Sequence, residues 1–370
     1  MSEVFVLKTN PNKILEDYEK LLHLANYQEF LKKDKEIIIK LNLSWTLFYP
    51  ASSSPPWQLE GVVRTLLKDG YEKEKIYPCE NKTVVTDVKK GAKNQGWLKV
   101  LKKYGLKFYP LPEEEWIKYD FKGPLLKLDK IFKEGIYIPK IFINKNVIHL
   151  PTMKTHGHSI TTGAIKNAFG GLLKEVRHYG HEFIHEVLVD LLVMQKEIHP
   201  VIFAVMDGTV CGNGAGPRTM LPYIGNLILA SFDSVALDAI AAKIMGFEPL
   251  KIDYLRIAHD LGLGCADLEK IKIYGEDISS LNFKFKTKKS LVIFGDQQLR
   301  KGYLRFLKRI ALHSPLWIWA PIASTFYHDF LWYPFIGKNR LKRFLESEWG
   351  RLFKKYLKED KNERRNKEKY

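Results

Sequence analysis

Short β-branched runs alternate with helical stretches along most of this chain, and a polypeptide written that way can bury its strands only by stacking them in a sheet with helices over both faces. Glu36 to Ser44 (EIIIKLNLS) reads as a buried strand, Trp57 to Asp69 as an amphipathic helix opened by Pro55 and Pro56, and Lys75 to Glu80 as the next strand. Gly91 to Tyr104 supplies a helix, Leu106 to Leu111 a strand, and Tyr137 to Ile143 with Asn146 to Leu150 two more extended runs. A helix begins near Thr161, and a longer one runs from about His181 to Ile198. Val201 to Asp207 (VIFAVMD) is a strand that stays apolar until its final carboxylate. The strand Asn226 to Phe232, the helices Ser234 to Met245 and Asp253 to Leu261, and the strand Ile271 to Tyr274 complete the pattern. This order predicts an α/β fold, a mostly parallel sheet flanked by helices with a C-terminal amphipathic helical appendage. Residues 1–295 are expected to form the core, 296–358 a basic, Trp-rich helical appendage, and 359–370 a disordered tail.

Charge narrows the partners. Fifty-nine Lys and Arg against 42 Asp and Glu leave +17, which draws the chain toward nucleic acid, a phospholipid surface or a phosphorylated substrate. A Lys-rich solvated surface would produce the same number. Cys79, Cys211 and Cys265 are too few and too scattered for a disulfide framework or a metal knuckle, and the N-terminus lacks the apolar stretch of a signal peptide. A cytoplasmic location follows as the expectation.

The densest polar chemistry lies in LPTMKTHGHSITTGAIKNAFGG, residues 150–171, where Lys154, His156, His158, Lys166 and Asn167 are interleaved with glycines. Small residues let backbone approach a ligand, and Thr161 and Thr162 at a helix start could aim free N–H groups at a phosphate or carboxylate. His178, His181 and His185 are spaced three and four apart, one face of a helix that is continuous through Gly180, and three imidazoles there would suit zinc or another divalent metal; a solvated face would carry them as well. A second glycine-rich stretch, DGTVCGNGAGPRTM from Asp207 to Met220, follows a strand as a phosphate-cradling loop does, with Arg218 as an anion clamp, or is an ordinary turn held by Pro217. It is neither a P-loop nor GxGxxG. Asp207, at the end of its strand, is placed either to meet a ligand or to cap the following turn.

The elements KLN (Lys40 to Asn42), KTHGHSITTGAIKNAFGG (Lys154 to Gly171), MDGTVCGNGAGP (Met206 to Pro217), FDSVALDAIAAKIMG (Phe232 to Gly246) and GLG (Gly262 to Gly264) resemble the domain-of-unknown-function 362 family. The resemblance implies an α/β core and a polar site around Lys40, Asn42, Lys154, His156, Lys166, Asn167, His178 and Asp207, but no established reaction. Many relatives carry ferredoxin-like Cys clusters, which hints at redox chemistry. Three scattered cysteines cannot bind an iron–sulfur cluster in this chain alone, so electrons would have to come from an electron-transfer partner.

Beyond the core, LRKGYLRFLKRIALHSPLWIWAPIASTFYHDFLWYPFIGKNRLKRF places two basic segments around a run without Lys or Arg. Pro315, Pro321 and Pro334 break that run, and His328 and Asp329 lie within it, so a spanning helix is not expected. Trp317, Trp319, Trp332 and Tyr333 belong at headgroup level, and Arg300, Lys301, Arg305, Lys308, Arg309, Lys338, Arg340, Lys342 and Arg343 would be drawn to an anionic membrane surface. A peripheral membrane association is the expectation, with packing on the core or a second subunit as the competing one. Nucleic acid fits worse, because the basic residues flank an apolar block and do not track a groove.

Together these features describe an enzyme at the membrane surface acting on an anionic substrate, phosphorylated or carboxylate, small or lipid-linked, with metal assistance or redox chemistry open. Lys154, Lys166 and Arg218 would hold negative charge, Lys40 and Asn42 would orient the ligand, and His156 or His178 would move protons. Asp207 would act as partner base or metal ligand. The alternative is a non-catalytic accessory or assembly protein that docks a partner complex on the membrane.

Overall fold

In the computed structural model, residues 1–304, 306 and 319–358 are described. The predicted tail over 359–370, Trp317 and the basic residues Arg305, Lys308 and Arg309 lie outside the described residues, as do the side chains of His178, Lys301, Trp319 and Pro321.

Twelve strands are described: β1 (Ser2–Lys8), β2 (Ile37–Lys40), β3 (Ile76–Glu80), β4 (Tyr109–Pro110), β5 (Trp116–Tyr119), β6 (Ile136–Pro139), β7 (Asn146–His149), β8 (Thr152–His156), β9 (Ile160–Thr161), β10 (Ile202–Ala215), β11 (Thr219–Ser231) and β12 (Ile271–Gly275). All but β5 and β6 join one large sheet, whose main path runs β12-β1-β11-β10-β7-β2-β3-β4, with β8 hydrogen-bonded beside β10. The fold is α/β, and the sheet is mostly parallel. Three antiparallel junctions, β1 to β11, β10 to β11 and β8 to β9, interrupt it.

Alternation along the strands sorts side chains between two cores. On one face Ile38, Val147, Ala204 and Met206 pack under the helices Ala164–Gly171, Ile184–Ile198 and Ser234–Met245. On the other, Ile37, Ile39, Phe203 and Val205 pack against Ile14–Leu24 and Pro56–Lys68. The C-terminal helix Glu348–Leu357 joins this second layer: Trp349 and Phe353 are buried, with ring centroids 5.3 and 5.9 Å from that of Trp57.

Two expectations change, and a third difference is a strand that was not expected. The helix expected over Gly91 to Tyr104 is two, Val88–Asn94 and Trp97–Lys103, parted at Gly96 with φ +81°, a left-handed turn that an α-helix cannot contain. The glycine-rich stretch after Asp207 is no phosphate loop: β10 continues to Ala215 and forms a long hairpin with β11. Its glycines serve strand contact, since a Cβ at Gly212 would lie 2.3 Å from Met220 Sδ, and one at Gly225 only 2.4 Å from Gly208 O. The third is β1, a strand that the charged flanks of VFVLK concealed.

Candidate functional site

Three strands, β2, β3 and β7, end side by side, and β8 runs on beyond them along β10. Lys40, Glu80 and His149 are the last residues of β2, β3 and β7, His156 is the last of β8, and Lys40, Glu80 and His156 line a cavity of about 430 Å³. This is the crevice that open parallel sheets offer a ligand. Asn42, Lys166, Asn167, Arg177, His181 and Arg218 also line it, so most residues predicted for the site converge.

The floor is a network around Lys40. Its Nζ donates to Glu80 Oε1 (2.6 Å) and to Leu41 O (2.6 Å), and both members of the pair are buried. The Lys40 carbonyl accepts from Asn167 Nδ2 (2.9 Å). His149 donates from Nε2 to Gln195 Oε1 (2.5 Å), leaving Nδ1 bare opposite the same Asn167 amide (3.3 Å). Burial holds His149 down at about 3, hence neutral.

Lys154 stands behind the wall. All three of its ammonium protons are used, on Asn42 Oδ1 (2.8 Å), Ser44 Oγ (3.0 Å) and Ser52 O (2.6 Å). Burial without a carboxylate beside it, together with the nearby Lys166, pulls it well below the ordinary lysine range. Its role is to fix Asn42: with Oδ1 taken, the amide offers its Nδ2 protons to the cavity.

His156 is fixed too. Its Nδ1 accepts from the backbone N–H groups of His158 (3.2 Å) and Ser159 (3.4 Å), which places the ring proton on Nε2. Burial and the charge of Lys166 hold it well below 6.5, so it is a neutral donor. Lys166 lies 5.3 Å over the Phe169 ring, and burial with Arg177 nearby brings it down to about 8. Arg218 donates to Ser324 Oγ (2.9 Å), and Arg300 donates to Asp296 (2.7 Å), whose carboxylate lies 3.7 Å from His158. Five cationic side chains against two carboxylates therefore line this space, an arrangement that receives anions.

Several predicted roles do not survive. Asp207 is on the opposite face of the sheet, in register with Phe203 and Val205, because its strand runs on and alternation turns it away from Lys40. There it accepts from Tyr18 Oη (2.8 Å), Trp57 Nε1 (3.0 Å), Thr209 Oγ1 (2.7 Å) and Thr209 N (3.1 Å). The N–H groups of Thr161 and Thr162 are taken by Ser159 O and Lys154 O, and those of Ala164 and Ile165 by Asp238 (2.6 and 3.2 Å). The helix thus presents no open N-terminus to a phosphate. His181 stacks on His158 (4.9 Å), whereas His185 accepts from Tyr254 N (3.3 Å) and stacks on that ring. Tight 3₁₀ turns over Glu175–Phe183 give way to an α-helix at Ile184, which rotates the two apart. The side chain of His178, the third member of that set and the alternative proton carrier, lies outside the described residues. Among the described residues no three His, Cys, Asp or Glu side chains are grouped to hold a metal.

The C-terminal segment closes the cavity. Ile293, Asp296, Leu299 and Arg300 on the helix Leu291–Lys301, with Ser324 and His328 beyond it, form the roof. Trp332 does not face outward: it is buried against Trp45 and Tyr49, with Arg340 over its ring at 5.4 Å. The most outward aromatics described are Tyr303, Phe306, Phe335 and Phe330, 94%, 76%, 73% and 64% exposed. No helix among the described residues is long and apolar enough to cross a membrane.

A crevice bordered by His156 of Lys-Thr-His, with Lys154 behind it, and by Lys166 and Asn167 of Gly-x-x-Lys-Asn defines a class by its residues. The pattern described as domain of unknown function (DUF362) matches residues 37–243, more than half of the chain, and the protein belongs to that family. The chain is also similar to the thylakoid-associated protein sll1697 of Synechocystis sp., 27% identical over 176 residues, 44% of this chain and 54% of that one. It thus spans about half the length of that relative.

Proposed function

We propose that the protein is an enzyme of the membrane surface whose cavity takes the anionic head of a substrate while the outer face of its roof lies against lipid. One observation carries this reading: the segment that roofs the cavity also exposes Phe326, Phe330 and Phe335, followed directly by exposed Lys338, Lys342 and Arg343. Apolar rings beside basic side chains are what an anionic lipid surface receives. The thylakoid association of the similar cyanobacterial protein supports the same location.

Within the cavity Lys166 and Arg218 hold negative charge, Asn42 Nδ2 and His156 Nε2–H donate to the substrate, and Lys154 positions Asn42. His156, neutral and fixed in one tautomer, polarises an oxygen that gains charge.

Calorimetry with inorganic phosphate and flotation with phosphatidylglycerol vesicles test the two halves. Phosphate is expected to bind, and Lys166→Met to weaken it on the order of tenfold. Phe326→Ser/Phe330→Ser/Phe335→Ser is expected to abolish flotation and leave phosphate binding intact. Wild-type protein that ignores both phosphate and vesicles would refute the proposal.

A further inference from the structure

Two acceptors on the cavity floor have no donor. Glu80 Oε2 and Asn167 Oδ1 are buried without a hydrogen-bond partner, on side chains 2% and 4% exposed that both line the cavity. Neither can be relieved by turning the group. Glu80 Oε1 already takes Lys40 Nζ (2.6 Å) and Asn81 N (2.8 Å). The Asn167 amide is held by the Lys40 carbonyl, which can only accept, and by the bare Nδ1 of His149, so a flip would set its oxygen against two acceptors. A buried acceptor left without a partner is costly, and on the floor of a cavity it marks where an incoming donor fits. Gly170 lines the same cavity, and a Cβ there would touch Glu80 Oε1 and Lys40 Nζ at 3.5 Å.

The donor is a hydroxyl and not an ammonium group. Lys40, Lys166, Arg177, Arg218 and Arg300 outnumber Glu80 and Asp296 around this space, and a ligand ammonium would face like charge on most sides. A hydroxyl donates to Glu80 Oε2 or Asn167 Oδ1 and offers its own lone pairs to Asn42 Nδ2 or His156 Nε2–H. We infer that the ligand is an anion bearing hydroxyls, of the polyol-phosphate or sugar-phosphate class, with its hydroxyls on the Glu80–Asn167 floor and its phosphate toward Lys166 and Arg218. The inference rests on the anion-receiving reading of the cavity and names the substrate class for it.

Titration calorimetry of the full chain with four probes tests it: inorganic phosphate, propyl phosphate, glycerol 3-phosphate and phosphoethanolamine. Glycerol 3-phosphate is expected to bind about tenfold tighter than propyl phosphate, since the two differ only in hydroxyls, and tighter than phosphoethanolamine. Glu80→Gln keeps its carbonyl on Lys40 and Asn81 N and turns an NH₂ to the ligand. It is expected to erase the ratio between glycerol 3-phosphate and propyl phosphate, whatever it does to both affinities together. The wild-type ratio stands whether or not that variant folds. Equal binding of propyl phosphate and glycerol 3-phosphate would overturn the inference and leave the anion site standing, as would tightest binding of phosphoethanolamine. Failure of every probe, inorganic phosphate included, would overturn the anion site itself. Dihexanoyl phosphatidylglycerol, soluble at low concentration, separates the two sources of such a ligand: tighter binding than glycerol 3-phosphate assigns a lipid headgroup, weaker binding a free polyol phosphate.

Discussion

Asp207→Asn separates a buried structural carboxylate from a catalytic one. Asp207 is 0% exposed, and burial, partly offset by hydrogen bonds from Thr209, Tyr18 and Trp57, raises it from 3.8 to about 6. Because the folded value lies above the unfolded one, the native protein keeps a proton that the unfolded chain releases between these two values. The contribution to stability is full below about pH 4 and is lost as pH rises through about 6. Roughly two units correspond to about 3 kcal/mol. Asparagine does not titrate, but its NH₂ must confront either Trp57 Nε1–H or Thr209 N–H, each able only to donate, at a cost of about 1–3 kcal/mol. The variant is therefore expected to be less stable than wild type near pH 4.5 and as stable or more so at pH 7. Urea unfolding at several pH values reads the difference, which cancels the other titrating groups. Phosphate binding is expected to be unchanged throughout, since the residue is across the sheet from Lys40. A stability difference that does not vary with pH would refute the argument, and so would a tenfold loss of phosphate affinity in a variant that unfolds normally.

Other outcomes follow from single contacts. Lys40→Met leaves Glu80 charged and buried, and is expected to cost about 3–5 kcal/mol in chemical denaturation, with the Lys40→Met/Glu80→Met pair recovering a large part. In Gly163→Ala the new Cβ would meet Asp238 Oδ1 at 1.9 Å, so the capping carboxylate must leave Ala164 and Ile165, for a loss of about 2–3 kcal/mol and a lower Tm. Since Lys166 is held at about 8, phosphate affinity is expected to fall as pH rises through that value from the charged amine below it, and the fall to vanish in Lys166→Met; calorimetry between pH 7 and 9 measures both.

The chain's elements were legible wherever period and punctuation agreed. Ser234–Met245 ends at Gly246 with φ +99°, and its residues matched the helix expected from sequence. The convergence of Lys40, Asn42, His156, Lys166 and Asn167 was legible only as a resemblance, because nothing in one sequence states that β8 runs on past the ends of β2 and β3 and borders the same cavity. Glu80 and His149 were missed for the same reason: each ends an ordinary apolar strand, and the one available signal, a polar residue closing such a run, is shared by many capping residues. Asp207 carried that signal and misled, since β10 does not stop there. Glycines gave the least guidance. Those in the hairpin admit neighbouring strands, whereas Gly163 and Gly170 make room for a cap and for the cavity, and spacing alone does not tell these uses apart.

The roof is tethered at both sides. Ile293 and Leu299 seat it on one flank, and on the other Trp349 and Phe353 are locked into the layer behind the sheet. The described parts of the roof are thus packed on the body at both flanks. Under the membrane-surface proposal, a pull on Phe330 and Phe335 from outside would reach Ser324 and His328, which line the cavity on the same stretch of chain.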